Sequence, residues 1–305
     1  MNGKELIVIA RATVREFFDD DVPNEAAALT YYAFFSIFPL LLLAILCANL
    51  FLKPEDAQKF ILENVAQYAP GSSDLLQEVA TTALQYRENT GWLALVGLAA
   101  LLFTASGALH ALDRAINRAW DIEQARSFLI SRLLSLVMLA VLGMLLLLSV
   151  VVSTVLRDTR RFAGAWPEWV HLPGSPFLWQ VANFAASFAI ISVGFLVMYR
   201  FLPHGVQIRV RDVWPGAVIA ALLWVITKEG FALYLSMSFV NYDTVYGTLG
   251  TVIALLTWIY LSSLIILVGA EISAETARVR RLRYYVTGQP ERGMASSPWL
   301  PRPES

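Results

Sequence analysis

The chain has 305 residues, of which 57% are hydrophobic and only 15% are charged. Soluble domains carry about 25% charged residues, so this composition is typical of a membrane protein and leaves little length for a soluble catalytic domain. A formal net charge of −1 argues against a nucleic-acid partner, which would need a basic surface. The single cysteine, Cys47, excludes a disulfide within the chain and a cysteine-based metal site.

Residues 1–24 are predicted to form a cytoplasmic amphipathic helix. Apolar residues recur there at helical spacing opposite Lys4, Arg11 and Arg15, a pattern typical of a helix that lies at the membrane interface. The apolar residues are Leu6, Ala10, Val14, Phe17 and Phe18. The stretch has no short apolar region with a cleavage site, so removal of a signal peptide is not expected.

Residues 25–276 are predicted to form a six-span membrane domain. A helix needs about 20 apolar residues to cross the hydrocarbon core, and six segments meet this length. They lie at about 26–52, 91–112, 131–156, 177–200, 213–238 and 245–274. The predicted fold class is therefore all-α: a polytopic membrane helical bundle with six transmembrane helices.

The connections have their own patterns. Residues 53–90 hold two separate stretches with helix-like spacing of apolar residues, one of which ends near Pro70 while the other starts near Asp74. They predict a small extramembrane helical hairpin after the first span. Residues 277–305 are predicted to form a cytoplasmic basic tail that is largely disordered, because Pro, Ser, Gly and charged residues dominate its end. Most of the 23 Lys and Arg residues fall inside if both termini are cytoplasmic.

Polar residues within the spans suggest a pathway or gate. Tyr32, Ser36 and Pro39 share one face of the first span, and Pro39 is either a packing kink or a break that lines a cavity. Lys228 lies within the fifth span, where its side chain either extends outward to the interface or faces the bundle. Glu271 interrupts the last span and is the deepest acid of its end.

Lys228 and the inner helix ends leave alternatives open. If Lys228 faces the bundle, Asp243 in the short outer loop is a second possible partner beside a carboxylate of a neighbouring helix. A cytoplasmic polar cluster is predicted at the inner ends of spans one, two and six, and its members are Glu25, His110, Asp113, Arg114 and Glu275. It is either an ion-pair cluster that fixes the helix ends or the inner gate of a transport pathway.

No enzyme is predicted. The three histidines, His110, His171 and His204, are isolated from one another, so the clustered ligands of a metal-dependent nuclease are not found. The chain also has no phosphate-binding Gly-x-x-x-x-Gly-Lys-Ser/Thr loop and no Gly-x-Ser-x-Gly elbow. No catalytic residue, cofactor or metal is therefore expected.

Four blocks in the same order carry a family resemblance. They are Ala-Ala-Ala-Leu-Thr-Tyr-Tyr-Ala-Phe-Phe-Ser-Ile-Phe-Pro-Leu at 26–40, Ala-Ile-Asn-Arg-Ala-Trp at 115–120, Arg-Asp-Val-Trp-Pro-Gly-Ala at 211–217, and the stretch from Tyr-Gly-Thr-Leu-Gly to Gly-Ala-Glu-Ile-Ser-Ala-Glu at 246–275. The chain resembles the YihY/BrkB family of bacterial inner-membrane proteins, once called ribonuclease BN. The resemblance implies a six-span protein of the inner (plasma) membrane, and links with envelope integrity, serum resistance and export of lipid or small solutes.

Two functions remain as predictions. The first is a transporter, exporter or flippase of lipid or a small solute, which requires a polar cavity. The second is a non-transporting envelope-integrity or scaffold protein, which predicts a dry bundle with polar groups at its rim. Membrane lipids are the expected partners, and a basic loop that includes Arg200, His204, Arg209 and Arg211 reflects either positive-inside bias or binding of anionic head groups. Assembly as a homo-oligomer stays open.

Overall fold

A computed structural model of the chain describes residues 3–48, 110–122, 176–204, 208–236 and 248–287, with residue 107 and scattered positions between 130 and 152. Throughout these ranges the secondary structure is helical, with turns and short loops and no strand. The helices are α1 (Gly3–Asp19), α2 (Val22–Ala48), α3 (residues 110–119), α4 (Pro176–Phe201), α5 (Val210–Ser236) and α6 (Thr248–Thr287). The predicted all-α fold is confirmed for this part of the chain.

Three of the described helices are long and apolar enough to cross a membrane. They contain the windows Phe184–Phe201, Val210–Ser236 and Leu249–Leu282. The predicted hairpin at 53–90, most of the second predicted span and nearly half of the third lie outside the described residues, and so does the chain beyond residue 287. Helix α6 itself continues without a break to Thr287, past residue 276 where the predicted membrane domain ends.

Helix α6 lies at the centre of the described bundle and packs against α1, α2, α4 and α5. Its closest neighbour is α5, because small residues line both helices where they meet: Ala217, Ala220 and Ala221 on α5, and Ala270 and Ala274 on α6, are all at most 1% exposed. Small side chains let two helix backbones approach in a membrane, where packing rather than water exclusion holds helices together.

Two glycines make this contact, the α4–α5–α6 seam, closer still. A Cβ atom added to Gly216 of α5 would overlap Ser273 Oγ and the carbonyl oxygen of Gly269, and one added to Gly269 would overlap the Tyr199 hydroxyl of α4. The Tyr199 hydroxyl donates a hydrogen bond to the carbonyl of Ile266 at 2.7 Å. At this seam the three helices are therefore joined through backbone and hydroxyl groups rather than through charged side chains.

A tight turn at Asp20 and Asp21 joins α1 to α2. Asp21 has a φ of 53°, a left-handed conformation that Asp tolerates better than most residues. Its carbonyl accepts the amides of Asn24 at 3.0 Å and Glu25 at 3.2 Å, which starts α2. The turn directs α1 back onto α6, and it thereby brings the Asp20 side chain to the C-terminal half of α6.

One face of α1 is buried against the bundle and the other is exposed. Ile9 and Thr13 are buried, whereas Leu6, Val14 and Phe18 are between 54% and 70% exposed. The exposed residues belong to the apolar stripe of the predicted amphipathic helix. Phe17 of the same stripe packs against the core of the bundle, so it is Leu6, Val14 and Phe18 that are available to the membrane interface.

Candidate functional site

The first-span residues of the predicted pathway lie on α2. Ser36 is 1% exposed, and its hydroxyl donates to the carbonyl of Tyr32, one turn earlier, at 2.7 Å. The Tyr32 side chain is 39% exposed, and its ring lies 3.4 Å from where a Cβ of residue 107 would be. At residue 39 the backbone of α2 stays helical.

Lys228 lies on α5, far from the acids of the bundle's other end. Its Nζ is 3.1 Å from Oε1 of Glu229, whose side chain is 70% exposed while that of Lys228 is 25% exposed. At 1.5 Å per residue, Lys228 is roughly 22 Å along α5 from Val213, which contacts Ser273 near Glu271. The described structure therefore does not bring Lys228 and Glu271 together. Asp243, the other candidate partner of Lys228, lies outside the described residues.

Glu271 is the most buried of the predicted residues that carry a charge. Only 1% of the residue is exposed, and it sits between Ala270 and Ala274 on the face of α6 that is packed in the bundle. Its carboxyl group lies within hydrogen-bonding reach of the Asp20 carboxyl in the α1–α2 turn. Two acids from opposite ends of the sequence thus meet in the interior.

Around this pair lies an ion-pair network that ties three parts of the bundle together, here called the polar end. Arg278 of α6 pairs with Glu275 and with Asp121 after α3, and it donates to the carbonyl of Ala119 at 3.2 Å. On the other side of α3, Arg118 pairs with Glu25 of α2. Of the predicted cytoplasmic cluster, Glu25 and Glu275 are therefore both joined to α3 by arginines.

Helix α3 also connects to the loop after α4. The Asn117 amide donates to Oδ1 of Asp113 at 3.0 Å, and its oxygen accepts the backbone amide of His204 at 3.2 Å. Asp113 and Asn117 are buried, whereas His110 and Arg114 are exposed. The predicted trio on α3 is therefore divided, since only Asp113 faces the bundle interior.

The start of α5 completes the polar end. Oδ2 of Asp212 accepts the backbone amide of Arg209 at 3.2 Å, the arrangement by which a side chain in the first turn caps a helix. Its other oxygen lies 3.2 Å from Arg280 of α6, and Arg280 also donates to the carbonyl of Arg211. One arginine thus holds the C-terminal half of α6 against the start of α5.

Burial raises the pKa values of two acids, Glu16 on α1 and Asp20 in the turn after it. Burial raises the pKa of Asp20 above its ordinary value, and Asp121 adds to this effect, while the neighbouring Glu271 carboxyl group and nearby arginines lower it. Burial likewise raises the pKa of Glu16 on α1, against the opposing charge of Arg278. Both groups are therefore held in environments that favour the protonated form.

Sequence reasoning missed seven members of this network: Asp20, Asn117, Arg118, Asp121, Asp212, Arg278 and Arg280. Glu275 and Arg278 are three residues apart on one helix, a spacing that places them on the same face, and this signal was available. Asp20 and Asp121 meet α6 only through the fold. The described residues contain no group of three or more His, Cys, Asp or Glu side chains that could hold a metal ion.

Three helices that are long and apolar enough to cross a membrane define a polytopic α-helical membrane protein. The chain belongs to the virulence factor BrkB family, whose model matches residues 13–293. The predicted resemblance is thereby confirmed.

The relatives agree with this assignment. A protein of Bacillus subtilis (strain 168) named ribonuclease-like protein YfkH is 32% identical over 85% of this chain and 91% of that protein. A UPF0761 membrane protein of Pseudoalteromonas translucida (strain TAC 125) is 30% identical over 84% of this chain and 81% of its own length. A UPF0761 membrane protein of Xanthomonas oryzae pv. oryzae is 30% identical, and the match spans 60% of that longer protein. No solved structure matches the chain.

Proposed function

We propose that this protein is a six-span transporter of the bacterial inner membrane, with both termini in the cytoplasm, that exports or flips lipid or a small solute. Glu271 carries the proposal, since an acid that is 1% exposed lies in a helix apolar and long enough to span the membrane. Ionisable groups in such helices are costly to bury and mark substrate or ion pathways.

The pathway is proposed to run past Tyr32, Ser36, Pro39, Lys228 and Glu271. The polar end would form the inner gate, because its arginines cross-link α2, α3 and α6 where a substrate would enter. Opening such a gate requires ion pairs to exchange, which partly exposed pairs do at low cost. Membrane lipids, including anionic head groups near the arginines of α5 and α6, are the proposed partners. The proposed role is non-enzymatic. The word ribonuclease in the name of the Bacillus subtilis relative describes that protein and is not carried over to this chain.

A second candidate is a scaffold that contributes to envelope integrity without transport. The α4–α5–α6 seam favours it, because Gly216 and Gly269 bring the helix backbones so close that no space is left for a substrate between them. If all helix contacts were of this kind, the charged residues would serve only to fix the rim.

Reconstituted vesicles separate the two functions. Purified protein in liposomes would be assayed for movement of fluorescent phospholipids between leaflets, by dithionite quenching, and for release of trapped solutes. The transport proposal expects activity in the wild type and a strong loss of activity in Lys228→Ala and Glu271→Gln. The control Arg15→Gln, which removes a charge from an exposed pair, should keep the wild-type activity.

Two results would count against parts of the proposal. If Lys228→Ala and Glu271→Gln both moved substrate as fast as an active wild type, the assigned pathway would be wrong. If folded wild-type protein moved neither lipid nor solute from a broad panel, the scaffold would become the better account.

A further inference from the structure

When Asp20 and Glu271 are both ionised, neither carboxylate can donate a hydrogen bond to the other. Oε2 of Glu271 and Oδ2 of Asp20 are buried, and neither oxygen receives a hydrogen bond from a donor among the described residues. The two carboxyl groups nevertheless lie within hydrogen-bonding reach of each other. Ionised carboxylates can only accept hydrogen bonds, so the contact is satisfied only if one of the two carries a proton.

The charged surroundings favour that proton. The groups that interact with the pair come from α1, from the end of α3 and from α6, and they are Glu16, Arg118, Asp121 and Arg278. Both arginines are already engaged, Arg118 by Glu25 and Arg278 by Glu275 and Asp121. Acids therefore outnumber the cations that could neutralise them, and two adjacent carboxylates in such a site do not both ionise readily.

We propose that Asp20 and Glu271 form a proton-binding site, in which one proton shared between Glu271 Oε2 and Asp20 Oδ2 latches the α1–α2 turn onto α6. Binding adds a proton from water to one carboxylate and forms one O–H bond. Release returns that proton to water and leaves two carboxylates that repel each other. Asp20 is only partly buried and is followed by the exposed Asp21, so the proton enters and leaves through the turn.

The site makes the latch dependent on pH in a defined direction. Burial raises the pKa of Asp20 above its ordinary value of 3.8, which means that the folded turn binds a proton more tightly than the unfolded chain does. The stabilisation is therefore complete at acidic pH and is lost as the pH rises through the folded-state value. This property does not depend on transport, so it holds equally for a scaffold.

Infrared difference spectroscopy tests the proton directly. A wild-type sample should show a C=O stretching band of a protonated carboxyl group that disappears as the pH is raised. The band should be absent in Glu271→Gln and shifted in Asp20→Asn, where the hydrogen-bond acceptor has changed. It should persist unchanged in the control Asp212→Asn, which removes an acid held by Arg280 on another side of α6. The same titrating band in Glu271→Gln, or an unshifted band in Asp20→Asn, would overturn the shared site.

Hydrogen exchange tests the latch. In the wild type, amides of residues 19–25 should lose protection as the pH rises, beyond the intrinsic increase in exchange rate. Glu271→Gln keeps an N–H donor permanently beside the Asp20 carboxylate, so the protection should become independent of pH while the fold is retained. Parallel loss of protection in the wild type and in Glu271→Gln would contradict the latch.

Discussion

The α4–α5–α6 seam and the polar end hold the same helix, α6, by opposite means. At the seam, two glycines, a serine and a tyrosine let backbones meet, and the hydrogen bonds between helices run from neutral hydroxyls to carbonyls. At the polar end, arginines from α3 and α6 bridge acids of α2, α3 and α5. The seam is stabilised by close packing and neutral hydrogen bonds, and the polar end by ion pairs.

This difference separates a fixed part of the molecule from an adjustable one. A contact between backbones has one arrangement, because no side chain can move aside without leaving a gap. Ion pairs between partly exposed side chains are worth little individually, and they re-form with other partners or with water. The seam is therefore suited to serve as the fixed axis of the bundle, and the polar end as the part that responds to pH, lipid or substrate.

Gly216→Ala should produce the largest loss of stability. The added methyl group would meet the carbonyl oxygen of Gly269 and Ser273 Oγ, and a helix carbonyl cannot rotate away. Overpacking of this kind costs about 3 kcal/mol. Thermal unfolding in detergent, followed by far-ultraviolet circular dichroism, measures the loss.

Gly230→Ala is the matched control, because Gly230 lies on the same helix and a Cβ there has nothing within 4 Å. Replacing an unhindered helical glycine by alanine is neutral or stabilises by up to about 1 kcal/mol. If Gly216→Ala were as stable as Gly230→Ala, the seam would not be held by close approach, and the contrast between the two regions would fail.

Arg278→Gln should have the second-largest effect and act on the polar end alone. It deprives Glu275, whose side chain is 7% exposed, of its cation, and it removes the link to Asp121. Hydrogen bonds to charged groups are worth about 2 kcal/mol, and partial exposure of the arginine makes this an upper value. Thermal unfolding measures the cost, and hydrogen exchange should place the loosening at the end of α3 rather than at Tyr199. Loosening spread equally over the seam would show that the two regions are not independent.

The sequence predicted the membrane class and the family because both depend on features local to the chain. Residues 244–270 carry no charge, and the length of such an apolar segment directly indicates a helix that spans a bilayer. The predicted position of Glu271, as the deepest acid at the cytoplasmic end of its span, also followed from counting residues along its helix. Its partner did not, because Asp20 reaches it only through the left-handed turn at Asp21 and the packing of α1 on α6.

The seam could not be predicted for a related reason. The chain has 17 glycines, and although Gly216 and Gly269 lie in the blocks that carry the family resemblance and Gly230 does not, the sequence does not show which helix each glycine meets. What distinguishes them is the helix that lies opposite. The partners of the predicted pathway residues could not be predicted either. The Ser36 hydroxyl donates to a carbonyl of its own helix, and Lys228 pairs with the adjacent Glu229.

Tyr199→Phe tests the neutral hydrogen bond of the seam in isolation. The substitution keeps the ring and removes the hydroxyl that donates to the carbonyl of Ile266. Hydrogen bonds between membrane helices contribute about 1 kcal/mol or less, so the loss of stability should be small and should not vary with ionic strength. Unfolding at low and high salt checks both points, and a salt-dependent loss would mean that charge reaches the seam.

Arg15→Gln should have the smallest effect and shows whether burial gives the polar end its strength. Arg15 pairs with Asp19 on α1 at 3.1 Å, with side chains 79% and 55% exposed, whereas Arg278 is 28% exposed. An exposed pair four residues apart on a helix contributes about 0.5 kcal/mol at most, and unfolding measured beside Arg278→Gln gives the ratio. If the two substitutions cost the same, partial burial would contribute nothing, and the polar end would be an ordinary charged rim. A clear difference would instead show that partial burial strengthens the ion pairs of the polar end.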